Sequence, residues 1–498
     1  MELQFDKKTL PCLQTVLRQT QTQEQTQEVR LPEGMPDIGR VIACWGQVIV
    51  RGKEWLSDRI GANGGVMAWV LYMPEDESMP QAVSAWLPFQ MKWDIPQTRH
   101  DGTIVVKPYL RSSDARSLSA RKLMVRVNLA LCVEALVPAE AEFYQEDALP
   151  EDIRVLKKTY RLCIPAEAGE KAFQIEENFP LNGLPQAEQM IRYELRPVLT
   201  EWKLMADKIV FRGSIMIHAL YRDSGGQLHT WEQEVPFSQY GDLDREYEES
   251  CGLHMVLLVT NSELDTTAEE GLRLNAGISG QYVIYDKTMV PIVEDAYSPL
   301  RQVTVQMGEM AVPSVLEQLT KSVRVEQTVD NDASSVVDLA CYPDYPQRIS
   351  TTDGVQIQMP GSFQLLYKDT NGNLQSTNAY WEENLDLLTA PENTVNPDVS
   401  GVNTPQAVAG SGGVSMQADL ACRVNTASGQ GIPMATGLEL GEEKKPDPNR
   451  PSLVLRRKGN ESLWQIAKET GATVEGIMDA NRLEGEPEEN RMLLIPIP

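Results

Sequence analysis

One nine-residue phrase occurs twice in this chain: Leu220–Leu228 reads LYRDSGGQL and Leu366–Leu374 reads LYKDTNGNL. Each copy describes a β-hairpin. An apolar strand ends at the tyrosine, and Gly225-Gly226 or Asn371-Gly372 supplies residues able to take the positive φ of a tight turn. A third copy lies upstream without a gap, since Gly34-Met35-Pro36 and Leu71-Tyr72 each stand 149 residues before Gly183-Leu184-Pro185 and Leu220-Tyr221. From Tyr221 to Tyr367 the offset is 146. Such a period exceeds any solenoid unit and fits a whole domain copied in tandem.

The patterns between these landmarks are strand patterns. Val355, Ile357, Met359, Phe363, Leu365 and Tyr367 alternate with Gln356, Gln358, Ser362 and Gln364, as on a strand with one buried face. Leu123, Val125, Val127, Leu129, Leu131 and Val133 alternate along a closing strand, and Arg126-Val127-Asn128-Leu129 returns 147 residues later as Arg273-Leu274-Asn275-Ala276. The predicted architecture is mainly β. Three tandem β-sandwich-like domains are expected at 1–145, 153–300 and 311–441, then a linker at 442–452 and a small β-α-α-β module at 453–498.

Local composition refines this frame. Gln19–Glu28, QTQTQEQTQE, is expected as an edge strand, because threonine favours strands and the tract runs into Val29-Arg30-Leu31-Pro32. Pro138–Asp152 reads as an acidic connector and Pro391–Gly413 as a long loop, with strands at Val414–Val424 and Ile432–Leu440 closing the third copy. The linker, GEEKKPDPNRPS, is too charged and proline-rich to pack.

A formal charge of −26 repels nucleic acid and anionic lipid, so phosphate-backbone binding is disfavoured. The same acidity serves solubility or a basic protein partner. No apolar run reaches the roughly 20 residues of a membrane span. The start, MELQFDKKTL, has no signal-peptide core, and a cytosolic chain is expected. Seven scattered cysteines without a CxxC read as reduced, mostly buried thiols.

Catalytic chemistry finds no foothold in the sequence. The four histidines, His100, His218, His229 and His254, show no metal-ligand spacing, and no GxxxxGK[ST] or GxSxG occurs, so neither a catalytic residue, a metal nor a cofactor is expected. His218 is expected on the solvent side of its strand. Five of the nine tryptophans, Trp45, Trp55, Trp69, Trp86 and Trp93, lie in the first copy, where Val66–Tyr72 is apolar on both faces. That second face needs a cover, either a neighbouring part of this chain or a partner.

The last stretch changes to helical spacing: Leu463, Trp464, Ile466 and Ala467 share one helix face, and Val474, Ile477, Met478 and Asn481 a second. With Lys458-Gly459, Leu463-Trp464-Gln465-Ile466-Ala467, Thr473-Val474, Asp479-Ala480-Asn481 and Leu494-Ile495-Pro496, it resembles a LysM domain. That resemblance implies binding of N-acetylglucosamine polymers such as peptidoglycan, in a groove lined by Lys458, Gly459, Asn460, Glu461, Ser462, Asn481, Arg482 and Leu483. The loop before the first helix is one residue longer than the family pattern, and the loop after the second, Glu484–Glu489, is acidic. Both departures fall on the groove, which favours a protein ligand. Trp464 is expected in the module's core.

Three β-repeats, QTQEVRLPEGMPDIGR near the start and a terminal LysM together resemble the SipL type of spore-coat morphogenetic protein, whose repeats are SPOCS domains. The resemblance implies a non-enzymatic scaffold in the mother cell, docked at the forespore surface on the stage IV sporulation ATPase through its LysM. Peptidoglycan binding is the alternative.

Overall fold

The computed structural model describes residues 2–497 except 77, 96–100, 147–148, 182, 267–270, 313, 353, 411 and 445–450. His100 and most of the predicted linker therefore lie outside the described residues.

After a short strand β1 (Glu2–Gln4), the first copy comprises β2 (Asp6–Arg30), β3 (Ile38–Trp55), β4 (Arg59–Pro74), β5 (Gln81–Asp94), β6 (Thr103–Ser119) and β7 (Lys122–Gln145). The second comprises β8 (Arg154–Pro180), β9 (Gln189–Met205), β10 (Lys208–Arg222), β11 (Leu228–Asp242), β12 (Gly252–Thr266) and β13 (Gly271–Tyr297). Following β14 (Arg301–Met310), the third comprises β15 (Val315–Val329), β16 (Ala333–Pro343), β17 (Gln347–Thr351), β18 (Gly354–Asp369), β19 (Leu374–Leu387), β20 (Thr394–Val402), β21 (Gln406–Gly410) and β22 (Gly413–Ala427). The chain finishes with β23 (Ile432–Glu443), β24 (Leu453–Arg457), α1 (Leu463–Thr470), α2 (Val474–Asn481) and β25 (Met492–Pro496).

Each copy is a pair of antiparallel sheets with one topology. In the first, β3-β4-β5 and β2-β7-β6 are the two sheets; in the second, β9-β10-β11 and β8-β13-β12. The third repeats the plan with two strands interrupted. Both β16 and β17 pair with one edge of β18, and both β20 and β21 with one edge of β22. Pro346 and Pro405 stand at the breaks, where a missing N–H and a fixed φ end the ladder.

Equivalent side chains perform equivalent tasks. Tyr72 donates its hydroxyl to the Pro36 carbonyl and Tyr221 to that of Pro185, each at 3.0 Å. A Cβ on Gly64 would lie 2.0 Å from the Ile49 carbonyl oxygen, and one on Gly213 would lie 2.1 Å from that of Val198, so both positions demand glycine for the same close approach. The repeated phrase forms the β10–β11 and β18–β19 hairpins as expected. The turns differ from expectation in one respect: only Gly226 and Gly372 take positive φ, 85° and 81°. An aspartate widens each loop. Gly226 N–H reaches the Asp223 carbonyl at 3.1 Å and Gly372 N–H that of Asp369 at 3.0 Å, while each aspartate side chain accepts a further backbone N–H.

The polar tract Gln19–Glu28 lies in β2 and pairs only with β7, the edge position expected. Three other expectations need correction. The connector begins later, because Pro138–Gln145 continues β7 against Asp6–Leu13, with Ala141 and Phe143 buried. Pro391–Gly413 is no long loop, because Val395 and Val399 bury themselves and anchor β20, whose one proline and one glycine an edge strand tolerates. The strand at Ile432–Glu443 pairs with β14 and β1 in a separate small sheet, not with the third copy.

The copies touch in cyclic order. Strand β3 packs on β12, β9 on β20 and β16 on β6, so the first copy meets the second, the second the third, and the third the first. Tyr193 of the second copy is the clearest cover for the doubly apolar strand: Trp69, on that strand, is buried edge-on against it, centroids 4.9 Å apart. The cover is thus intramolecular. All seven cysteines are free, five of them buried. No described helix is long and apolar enough to cross a membrane.

Candidate functional site

The C-terminal β-α-α-β end fits a LysM-like module, and local chemistry explains its helices. Ser462 caps α1 in a capping box with Gln465, and Gly471 ends it at φ 67°. Thr473 caps α2, and Arg482 ends it in the left-handed region at φ 51°. Leu463, Ile466, Ala467, Ile477, Leu493 and Ile495 are the buried core.

Most of the predicted groove residues are already engaged. Asn481 donates to the Ile477 and Leu494 carbonyls and accepts from the Leu494 N–H at 2.7 Å. Glu461 pairs with Arg456 at 3.0 Å, and the Ser462 hydroxyl is spent on the Gln465 N–H. Lys458 is only 5% exposed. The acidic second loop reaches across: Glu486 accepts the Leu463 N–H at 2.8 Å and lies 3.8 Å from the Lys458 ammonium. Gly459, Asn460 and Arg482 remain exposed, and Leu483 is half-buried, its N–H on the Met478 carbonyl.

Trp464 departs from expectation. It is half-buried, stacks edge-on against Tyr297 at 4.8 Å and donates its indole N–H to Asp295 at 2.9 Å. Lys468 bonds the same carboxylate, and Tyr297 donates to the Ala472 carbonyl. This face of α1 ties the module to the end of β13. An indole needs a partner for its N–H, which the module's apolar interior does not offer.

The second cluster escaped the sequence reading. His218, expected on the solvent side, is 9% exposed, with Nε2 at 2.7 Å from Asp338 and Nδ1 at 3.1 Å from Glu232. Asp338 also accepts from Arg192 Nε at 2.7 Å. Arg192 lies over the Trp45 ring of the first copy, 5.4 Å from its centroid. Burial alone would lower the His218 pKa, but the two carboxylates outweigh it and hold it above the ordinary histidine value, against the opposing Arg192 charge. Burial alone would raise Asp338, but Arg192 and His218 hold its carboxyl far below the usual range. The one available signal was positional: Ala43, Arg192 and Asp338 stand at equivalent places in the three copies, opposite Leu71, Leu220 and Leu366.

A further polar layer joins the same copies. Lys107 of β6 pairs with Asp398 of β20, Tyr109 reaches that carboxylate, and His254 of β12 meets Asn425 at 3.3 Å. Burial drives His254 down to about 4, so it sits neutral. Between the layers a cavity of about 220 Å³ is walled by Gln47, Lys107, Glu194, Arg196 and Tyr342 from all three copies. These titratable groups are consumed in holding copies together. Among the described residues no three His, Cys, Asp or Glu side chains are grouped to hold a metal.

The family model described as SipL, SPOCS domain matches residues 186–262, which span β9, β10, β11 and part of β12. The matched stretch holds Arg192, His218 and the first copy of the repeated phrase. This likeness supports a sporulation-related protein. No curated protein and no solved structure matches the chain.

Proposed function

We propose that this chain is a non-enzymatic scaffold of spore-envelope morphogenesis, working in the mother cell and docking at the forespore surface through residues 453–498. The observation that carries the reading is the SPOCS match in the second copy, whose two-sheet fold recurs on either side of it. What further supports it is where the charged groups go. The buried ion pairs join one copy to another, which suits a rigid spacer. In the groove, Glu486 occupies the gap between the loops and Asn481 is bonded to the last strand, so few free donors remain for acetamide groups. A protein ligand, of the stage IV sporulation ATPase type, fits such a module better than peptidoglycan.

The test is localisation in sporulating cells. A fluorescent fusion of the full chain should ring the forespore, and the same fusion without 453–498 should disperse through the mother cell. Sedimentation of the chain with purified peptidoglycan at micromolar concentration would instead support the glycan reading.

A further inference from the structure

The module exposes apolar side chains on the outer face of its sheet. Along β24 and β25 the side chains alternate. Leu493 and Ile495 point inward and are buried, whereas Leu453, Leu455, Met492 and Leu494 point outward and are 51, 62, 50 and 37% exposed. Leu455 stands opposite Leu494, and Arg457 opposite Met492. Within a module this small, four outward apolar side chains on one two-stranded face form a patch of the kind that marks an interaction site.

The backbone beside the patch is open on one side only. Asn481 closes the outer edge of β25 by bonding both the N–H and the carbonyl of Leu494. In β24 the ladder bonds fall at Lys458 N–H to Arg491 and at Ser452, whose carbonyl accepts from Ile497. Antiparallel alternation then turns Val454 and Arg456 toward β25 and leaves the N–H and carbonyl groups of Leu453, Leu455 and Arg457 facing away. Among the described residues no strand pairs with that edge. An unpaired edge beside an apolar face is a template for strand addition.

We propose that β24 is the docking edge: an extended segment of a partner protein joins the sheet as a third strand. Its alternate apolar side chains cover Leu453 and Leu455, and a carboxylate meets Arg457. A second copy of this chain is the weaker occupant, because antiparallel addition of another β24 centred on Leu455 sets Arg457 against Leu453, and two chains of charge −26 repel.

The proposal rests on the protein-docking reading above, and one set of full-length fluorescent fusions separates the two. Leu455→Asp and Arg457→Glu change exposed side chains, and tryptophan fluorescence of the purified chains checks that Trp464 keeps its environment. Each should lower the forespore-associated fraction at least tenfold, and further than the groove variant Asn460→Ala combined with Arg482→Ala lowers it. If the groove variant disperses and the two strand variants still ring the forespore, the docking edge is wrong although docking stands. If removal of 453–498 leaves the ring intact, docking through this module fails, and the edge proposal with it.

Discussion

The contacts between the first and second copies and between the second and third use the same strands for opposite chemistry. Trp69, His218 and Gln364 occupy equivalent positions of β4, β10 and β18, each facing the next copy in the cycle. Trp69 meets the Tyr193 ring, His218 meets the Asp338 carboxylate, and Gln364 donates to the Cys44 carbonyl at 2.9 Å. At this one position the three junctions differ: one contact is aromatic, one ionic and one amide to backbone. Three identical junctions would let any copy sit against any other, or against a copy in another chain. Different ones fix the order, because a mismatched neighbour leaves a buried charge or amide without its partner. The ionic junction is costly to build and costlier to break.

Breaking it from one side should give the largest effect. Asp338→Ala strips the buried Arg192 and His218 of the carboxylate they share, leaving them only the more distant Glu194 and the half-exposed Glu232, and should destabilise the chain by about 3–5 kcal/mol in urea denaturation. Trp69→Ala, which opens a cavity, should cost a similar amount, roughly 3–5 kcal/mol. The two junctions then part company. Arg192→Met together with Asp338→Leu should restore stability close to the parent, because an apolar pair of similar volume avoids the desolvation cost. A loss that persists in the double variant would overturn the distinction between the junctions.

The hairpin tips offer a finer comparison. Gly226 faces Met79 of the first copy, whose Cγ would lie 3.1 Å from an added Cβ, whereas Gly372 has nothing within 4 Å. Gly372→Ala should therefore cost only the left-handed strain, about 1–2 kcal/mol. Gly226→Ala should cost more, since Met79 must also shift. Equal losses in thermal melts would show that the second tip does not bear on the first copy.

His218 and His254 should respond to pH in opposite directions. His218 faces Asp338 from β16, Glu232 from β11 and Arg192 from β9, and its folded pKa is raised. Its contribution is complete below the ordinary histidine value and fades as pH climbs through the raised one. His254, held near 4 by burial, behaves in reverse: its contribution is present above the ordinary value and is lost as pH falls toward about 4. Melting temperatures against pH should separate from the parent most at the acid end, His218→Phe losing the stability that protonation supplies there and His254→Phe losing the parent's acid sensitivity. At the periphery, Lys468→Ala removes a partly exposed ion pair with Asp295 and should cost no more than about 1 kcal/mol.

The hairpins, the edge strand at Gln19–Glu28 and the helical tail were legible because each rests on local periodicity and turn chemistry. The cyclic arrangement was not. His218 lies on a strand with Arg212 and Ser214 on the same side, and nothing near it in sequence announces that Asp338, 120 residues on, will cover it. Trp464 failed likewise: its helical spacing matched the core, but its N–H needed Asp295, which no module-level pattern contains. At Pro138–Gln145 and Pro391–Gly413, proline and acidic content argued for loops, while long pairing partners on β2 and β22 overruled them.

Strand β1 has a consequence for how the molecule is made. Glu2–Gln4 pairs with Gly437–Glu439, so residues made before the first copy find their partners only after the third copy has been made. The three copies can fold one after another as they emerge, each burying its own sheets. Closure of the cycle cannot begin until the third is complete, and a translation arrest beyond the second copy would leave the Arg192 and His218 surfaces without Asp338 for as long as it lasted. Premature assembly between unfinished chains is therefore the characteristic hazard of this topology, and the unlike chemistry of the junctions narrows what such chains can capture.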